Sequence, residues 1–215
     1  MLLVPLYEHP ADRPEAWEAV IRSADRLYAV VLNPDSGPGA APDERFAAVS
    51  ERLRAADVPV LGYTDTDYGR RPHPDVVQDL LRYRDWYGAD GAFLDQAAAE
   101  RELLPHYRRL SVAARAAGAR TVVLNHGAHP HPGFAELADL LVTFEGPWDA
   151  YQEAVVPEWT AGHPAERFCH LVYAVPAGAP TAELALARRA AVHCAVPGAG
   201  THPWGTLPHT LEPAG

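Results

Sequence analysis

Two acidic residues stand where apolar runs of the sequence end, and both could transfer protons or attack an electrophile. Asp95 ends the run GAFLD, and Glu145 ends LLVTFE just before Gly146. Cleavage of a glycosidic bond needs one carboxyl group to protonate the leaving oxygen and a second to attack the anomeric carbon or to activate water. The pair therefore indicates a glycosidase-type site. The alternative is that each acid only caps the turn or helix that follows it.

Aromatic, amide and further acidic side chains follow the other apolar runs. Aromatic faces stack on the C–H surfaces of sugars, and amides and phenols hydrogen-bond to hydroxyl groups. We therefore expect a carbohydrate or another small molecule as the ligand, with Trp204 either a sugar platform or a seal over the core. The candidate substrate-binding residues are Tyr7, Asn33, Tyr63, Asp65, Asn125, His126, Trp148, Tyr173 and Trp204.

Short apolar runs alternate with helical patterns along the whole chain, and these elements must position the candidate residues. The predicted strands run from Leu2 to Tyr7, Leu27 to Asn33, Val58 to Thr64, Gly91 to Asp95, Thr121 to Asn125, Leu140 to Glu145, Phe168 to Val175 and His193 to Val196. The predicted helices run from Glu15 to Ala24, Asp43 to Ala56, Pro74 to Tyr87, Ala97 to Ala117, Phe134 to Ala138, Trp148 to Trp159 and Thr181 to Val192.

This alternation predicts a parallel sheet with right-handed crossovers. Eight units close into an α/β fold of the (β/α)8 type, a single domain over residues 1–215 with a weak or absent eighth helix. Asp43 and Thr181 resemble helix caps, and Gly118 resembles a helix stop. An open doubly wound sheet is the alternative fold, but no G-x-G-x-x-G follows the first strand. Active sites of such barrels lie at the carboxyl ends of the strands, where the candidate residues fall.

Composition excludes several classes of function. The 215-residue chain has 18 basic residues, all of them Arg, so a lysine Schiff base and a P-loop lysine are excluded. A formal net charge of −10 argues against nucleic acid or an anionic membrane as a partner. The amino terminus has no basic signal-peptide region, so we expect a soluble cytoplasmic protein, or a secreted one if a leader has been removed. The sequence predicts no cofactor and leaves the oligomeric state open.

A histidine-rich loop offers a competing interpretation. His126, His129 and His131 follow the fifth predicted strand and could collect a metal ion beside the acids, although their spacing matches no established zinc signature. We favour a polar loop, and we expect no metal site. The pairs Cys169-His170 and His193-Cys194 begin adjacent predicted strands and are interpreted as packing residues.

Several segments in order carry a family resemblance. They are VPLY at 4–7, VVLNPDSGPG at 30–39, VPVLGYTDTDYGRRP at 58–72, YRDWYGADGAFLDQ at 83–96, VVLNHG at 122–127 and FEGPWDAY at 144–151. With these motifs the chain resembles the spherulin-4-like family. That family is related to glycoside hydrolases that cleave α-1,4-linked galactosamine or N-acetylgalactosamine polymers.

The resemblance implies a (β/α)8 barrel and a retaining enzyme of the endo-α-1,4-N-acetylgalactosaminidase type. It assigns the nucleophile to Asp95 on the fourth strand and the acid/base to Glu145 on the sixth. The chain departs from the family pattern at Gln96, where the family commonly has Glu, and at His126, where it usually has Pro or a similar residue. Gln96 and the lack of a recognisable signal peptide keep two other hypotheses open: a non-catalytic sugar-binding module, and an intracellular biosynthetic enzyme acting on a small molecule. The histidine-rich loop keeps open a metal-dependent enzyme.

Overall fold

A computed structural model describes residues 1–211 and shows eight parallel strands in a closed barrel, in sequence order. The predicted fold is confirmed; residues 212–215 of the predicted single domain lie outside the described residues. The strands are β1 (Leu2–Pro5), β2 (Leu27–Leu32), β3 (Val60–Asp65), β4 (Gly91–Asp95), β5 (Thr121–Asn125), β6 (Leu140–Pro147), β7 (Phe168–Tyr173) and β8 (Val192–Ala195).

Within residues 1–211, six α-helices cover the barrel. They are α1 (Pro14–Arg22), α2 (Glu44–Ala55), α3 (His73–Tyr87), α4 (Leu104–Ala116), α5 (Trp148–Gln152) and α6 (Thr181–Ala187). The predicted cap at Asp43 is confirmed, because its carboxylate accepts the backbone N–H groups of Arg45 and Phe46. Gly62 lets α3 approach the barrel closely, since a Cβ there would lie 2.3 Å from the ring of Tyr83.

Two predictions about the helices are wrong, and a third agrees with the structure. The helix predicted to begin at Ala97 begins at Leu104, because the preceding residues form a loop held by buried hydrogen bonds. Thr181 is the first helical residue rather than a cap, and Pro180 precedes it. After β8 the described residues form only a 3-10 turn, Pro203–Gly205, so the eighth helix is missing up to residue 211 as expected.

Strand β6 contains a bulge that decides where Glu145 points. Val142 pairs with Cys169 and Phe144 with His170, so Thr143 is an extra residue that has no partner on β7. Beyond the bulge, Glu145 pairs with Leu171, which lines the cavity at the barrel mouth. A regular strand would have placed Val142 and Glu145 on opposite faces, so the bulge turns the carboxylate into the barrel.

The core fills the barrel and the layer beneath the helices. Large side chains from strands and helices, such as Phe93, Trp17 and Phe168, are almost completely buried. Cys169 and Cys194 are free and buried, in agreement with a packing role. Within residues 1–211, no helix has the length and apolar character needed to cross a membrane.

Candidate active site

One amide joins the two acids at the carboxyl ends of the strands. The Nδ2 group of Asn125 donates to Asp95 Oδ1 and to Glu145 Oε2, each at 2.6 Å. The Oδ1 atom of the same amide accepts the N–H of Gly127 at 3.1 Å, and this contact shows which end of the Asn125 amide is the oxygen. Because both acceptor oxygens contact the same nitrogen, they lie no farther apart than twice 2.6 Å. The structure thus brings Asp95, Asn125 and Glu145 into one cluster.

Neutral donors surround the carboxylate of Asp95. The Tyr63 hydroxyl donates to Oδ2 at 2.8 Å, and Asn125 donates to Oδ1. Burial raises the pKa of Asp95, while these two donors and the N–H of Gln96 lower it. Burial and the charge of Asp95 raise the pKa of Tyr63, so its phenol stays protonated and keeps donating.

Fewer donors reach Glu145. The Trp204 indole donates to Oε1 at 3.2 Å, and Asn125 donates to Oε2. Burial is the main cause that raises the pKa of Glu145, and the negative charge of Asp95 raises it further. Burial thus raises the pKa of both carboxyls, and the hydrogen bonds that each accepts favour its charged form.

A cavity of about 610 Å³ opens above this cluster. Tyr7, Tyr173 and Trp204 form aromatic walls, with Tyr173 and Trp204 edge to face at 6.2 Å. Burial first, and then the charges of Asp95 and Glu145, raise the pKa of Tyr7 well above its ordinary value, so it is a neutral donor. A cleft of aromatic walls and hydrogen-bonding groups over two carboxyls suits a sugar ring.

A smaller cavity of about 390 Å³ lies on another side of the same carboxylates. Asp95, Asn125, Glu145 and Tyr173 line both cavities, so the two adjoin at the carboxyl pair, and together we call them the cleft. The residues that line the smaller cavity alone are Tyr68, Gln96, His126 and Gly127.

A buried chain of hydrogen bonds fixes the backbone just after the nucleophile candidate. Ala98 N–H donates to the Tyr107 hydroxyl at 2.9 Å, which lies 2.8 Å from Thr66 Oγ1. Thr66 Oγ1 in turn donates to the carbonyl oxygens of Asp95 at 2.8 Å and Gln96 at 2.9 Å. We call Thr66 and Tyr107 the hydroxyl clamp. It holds Gln96 at φ +48°, a left-handed conformation that a glutamine rarely adopts.

His126 extends this fixation. Its Nδ1 lies 2.9 Å from the carbonyl oxygen of Ala98 and 3.1 Å from that of Ala97, so this nitrogen carries the hydrogen. Burial lowers the pKa of His126 to about 4, which keeps the ring neutral. The ring therefore ties the end of β5 to the loop after β4.

The other histidines of the same loop have separate partners. His131 accepts the N–H of Gly133 at 3.1 Å, and His129 lies edge to face with Trp159 at 6.4 Å. Among residues 1–211, no group of three or more histidine, cysteine or acidic side chains is arranged to hold a metal ion.

Not every candidate substrate-binding residue lines the cleft. Asn33 does, although its oxygen already accepts Gly37 N–H at 2.8 Å. Asp65 accepts Asp67 N–H at 2.8 Å within its own loop and lines neither cavity described above. Trp148 likewise lines neither; it packs against Tyr151 at 6.2 Å between ring centres.

Sequence reasoning missed the hydroxyl clamp and Tyr68. Tyr107 is buried in α4 and falls on a helical face that reads as ordinary core, so no sequence pattern marks its hydroxyl. Tyr68 did carry a signal, since it is an aromatic residue among Asp, Gly and Arg in a predicted rim loop.

Comparisons with known proteins identify relatives of this chain. The sequence matches spherulation-specific family 4 over residues 1–199. It is 34% identical over 149 residues to spherulin-4 of Physarum polycephalum, a match that takes in 67% of this chain and 44% of that protein. The chain therefore spans less than half the length of that relative.

Solved structures share the barrel. A crystal structure of Aspergillus clavatus Sph3 in complex with GalNAc has a TM-score of 0.83 and 26% identity, covering 98% of this chain and 93% of that one. The GH113 β-mannanase AaManA of Alicyclobacillus acidocaldarius, in complex with ManMIm, has a TM-score of 0.54 and 16% identity, covering 97% and 88% of the two chains. The fold is thus one that a glycoside hydrolase uses.

Proposed function

Because the chain belongs to spherulation-specific family 4, we propose that it hydrolyses glycosidic bonds within an amino-sugar glycan, with Asp95 as nucleophile and Glu145 as acid and base. The substrate class is an α-1,4-linked N-acetylgalactosamine polymer, supported by the GalNAc complex of the similar Sph3 structure. The observation that carries the proposal is the single Asn125 amide that binds both carboxyl groups.

The distance between the carboxyl groups supports retention of configuration. Retaining glycosidases hold their two carboxyls about 5 to 5.5 Å apart, whereas inverting ones leave about 6.5 to 9.5 Å for a water molecule. The two oxygens that Asn125 bridges, Asp95 Oδ1 and Glu145 Oε2, lie no farther apart than twice 2.6 Å, which agrees with the shorter separation.

The first step forms a covalent intermediate. Glu145 gives its proton to the leaving glycosidic oxygen while the ionised Asp95 attacks the anomeric carbon, so the C–O bond to the leaving sugar breaks and a glycosyl ester forms. Tyr63 and Asn125 hold the attacking carboxylate through Oδ2 and Oδ1. In the second step, Glu145 as carboxylate takes a proton from water, the water oxygen attacks the anomeric carbon, and Asp95 is released.

The experiment follows product release from α-1,4-linked N-acetylgalactosamine oligomers by chromatography and the first-formed anomer by proton NMR. We expect shorter oligomers whose new reducing ends appear first as the α-anomer. A first-formed β-anomer would contradict the assignment of Asp95 as nucleophile. Binding of the oligomers without any release of product would overturn hydrolysis and support a sugar-binding module instead.

A further inference from the structure

Tyr68 combines exposure, strain and a position on the catalytic cleft. It is 49% exposed, and its ring lines the smaller cavity beside Asp95 and Glu145. The function proposed above leaves this residue without a role. An exposed aromatic ring next to a polar cavity is the kind of surface on which a sugar stacks.

The backbone of Tyr68 adopts a conformation that its side chain disfavours. Its φ is +53°, and Asp67 before it has φ +45°. For a bulky residue this left-handed conformation is unfavourable and persists only where the surroundings enforce it. Gly69, the next residue, has φ +81° and adopts it without that cost. A glycine at 68 would thus suit the turn better than the tyrosine that is there.

The surroundings do enforce the conformation. Tyr68 N–H donates to the carbonyl oxygen of Gln96 at 2.8 Å, the same oxygen that Thr66 Oγ1 contacts. Arg71 binds the Asp65 carbonyl oxygen at 2.9 Å and the buried carboxylate of Asp79 at 2.6 Å, which braces the loop from the other side. The backbone of Tyr68 is therefore held in one place relative to that of Asp95 and Gln96.

Arg70 leaves the ring available. Its guanidinium carbon lies 5.6 Å from the centre of the Tyr68 ring, and its charge is paired with Asp67. One side of the ring is thus covered by a neutralised cation, while half of the residue stays exposed. Because the charges of Asp67 and Arg70 cancel, the loop places Tyr68 at the cavity without adding net charge there.

We propose that Tyr68 is the platform of a second sugar site, in which the cavity lined by Tyr68, Gln96 and His126 holds the neighbouring residue of the glycan chain across the carboxyl pair. This inference rests on the proposed function for the identity of the sugar. The first sugar occupies the larger cavity, between Tyr7 and Trp204, and the bond between the two sugars lies over Asp95 and Glu145. The site selects glycans of two or more residues over a monosaccharide.

The test measures binding of N-acetylgalactosamine and its α-1,4-linked di- and tetrasaccharides by isothermal titration calorimetry. The protein carries Asp95→Asn so that no substrate is consumed. We expect Tyr68→Gly to weaken binding of the di- and tetrasaccharide by roughly three- to tenfold, the size of one ring contact, while monosaccharide binding stays unchanged. Tyr68→Phe keeps the ring and should bind like the parent.

Two measurements separate a ligand role from a structural one. Tyr68→Gly removes the strain, so its melting temperature should be equal to or higher than that of the parent although it binds oligosaccharides less well. Trp86→Ala is the matched control, since Arg82 lies 5.2 Å from that ring centre and the residue lines neither cavity of the cleft. It should not change glycan affinity.

The outcomes distinguish the two proposals. Hydrolysis by the native protein with no length-dependent loss in Tyr68→Gly overturns the second sugar site and leaves the proposed function standing. Length-dependent binding that needs Tyr68, without any product from the native protein, overturns hydrolysis and supports the site. Equal losses for all three sugars, or no binding of any of them by the folded protein, overturn the second sugar site.

Discussion

The carboxyl pair of the cleft and an acid at the opposite end of the barrel are held in different ways. At the amino-terminal ends of the strands, Asp139 accepts Val122 N–H at 2.7 Å and forms an ion pair with Arg115 at 2.5 Å. At the carboxyl ends, Asp95 and Glu145 receive only neutral donors, and neither forms an ion pair within residues 1–211. An arginine fixes a carboxylate in its charged form, whereas neutral donors fix its position and let its proton move.

Backbone strain follows the same division. The left-handed residues other than glycine in the loops at the carboxyl ends are Ser36, Asp67, Tyr68, Gln96 and Ala174, whereas Asp57 and Arg189 lie near the opposite end. Strained conformations persist where the surrounding contacts enforce them, and they concentrate at functional sites. The end of the barrel that holds Asp95 and Glu145 with neutral donors is therefore also the end where most of the strained residues lie.

The largest expected effects come from changing either acid of the carboxyl pair. We expect Asp95→Asn to lower kcat/KM on N-acetylgalactosamine oligomers by about a thousandfold or more, because no nucleophile remains. Glu145→Gln should lose as much on oligomers but much less on an aryl glycoside, whose leaving group needs little protonation.

Asp139→Asn is the matched control for those variants. It should leave kcat/KM unchanged and lower the free energy of unfolding by about 1 kcal/mol, since an exposed ion pair and one charge-assisted hydrogen bond are weakened. Full activity in Asp95→Asn, or a large activity loss in Asp139→Asn, would show that the two ends do not differ as proposed.

Removal of the shared amide donor should have the next largest effect. Asn125→Ala leaves both buried carboxyls without a common partner, so we expect kcat to fall by about a hundredfold. Loss of the donor also raises the pKa of Asp95 and Glu145 further. Asp95 must be ionised to attack, so the acidic limb of the kcat/KM profile should move to higher pH. A lower kcat with an unmoved acidic limb would contradict this role for Asn125.

Much of this site could be predicted from the order of elements. Asp95, Asn125 and Glu145 each end an apolar run, and parallel strands deliver their ends to one rim. The orientation of Glu145 could not be predicted, because it depends on the unpaired residue Thr143, and strict alternation gives no sign of a bulge. The Trp204 contact was also out of reach, since it comes from an irregular loop far along the chain.

Buried histidines at both ends should make the fold sensitive to acid. Burial lowers the pKa of His126 at the rim to about 4, of His193 at the start of β8 to about 4, and of His170 to about 3. Between pH 6.5 and about 4 these histidines are protonated in the unfolded chain but remain neutral in the folded chain. The free energy of unfolding therefore decreases as the pH is lowered through this window. The limiting slope is about 1.4 kcal/mol per pH unit for each histidine.

The carboxyl pair acts in the opposite direction, since the raised pKa of Asp95 and Glu145 makes the folded state bind protons more readily. Two such groups cannot cancel three histidines, so we expect a net loss of stability in urea unfolding at pH 7, 6 and 5. His193→Gln should reduce the pH dependence by about 1.4 kcal/mol per pH unit. An unchanged slope in that variant would show that His193 is protonated in the folded protein.

The smallest effect concerns the hydroxyl clamp, which touches no substrate and acts only through the backbone of Asp95 and Gln96. Thr66→Val and Tyr107→Phe each break the chain of hydrogen bonds, so the Asp95 carboxylate should sample more orientations. We expect kcat to fall by about tenfold with little change in KM, because a misplaced nucleophile slows chemistry more than binding. Thr66→Ser keeps the hydroxyl and should restore kcat.

Ser50→Ala separates positioning from stability in that experiment. Ser50 Oγ donates to the Tyr87 carbonyl oxygen at 2.6 Å, so the variant also loses one buried hydroxyl-to-carbonyl bond, but away from the cleft. Its melting temperature should drop about as far as that of Thr66→Val, while its kcat stays at the native value. If Ser50→Ala loses kcat to the same extent, the clamp is only a structural contact. If Ser50→Ala keeps the native kcat while Thr66→Val loses it, then catalysis depends on the fixed backbone at the carboxyl end of the barrel and not on buried hydrogen bonds in general.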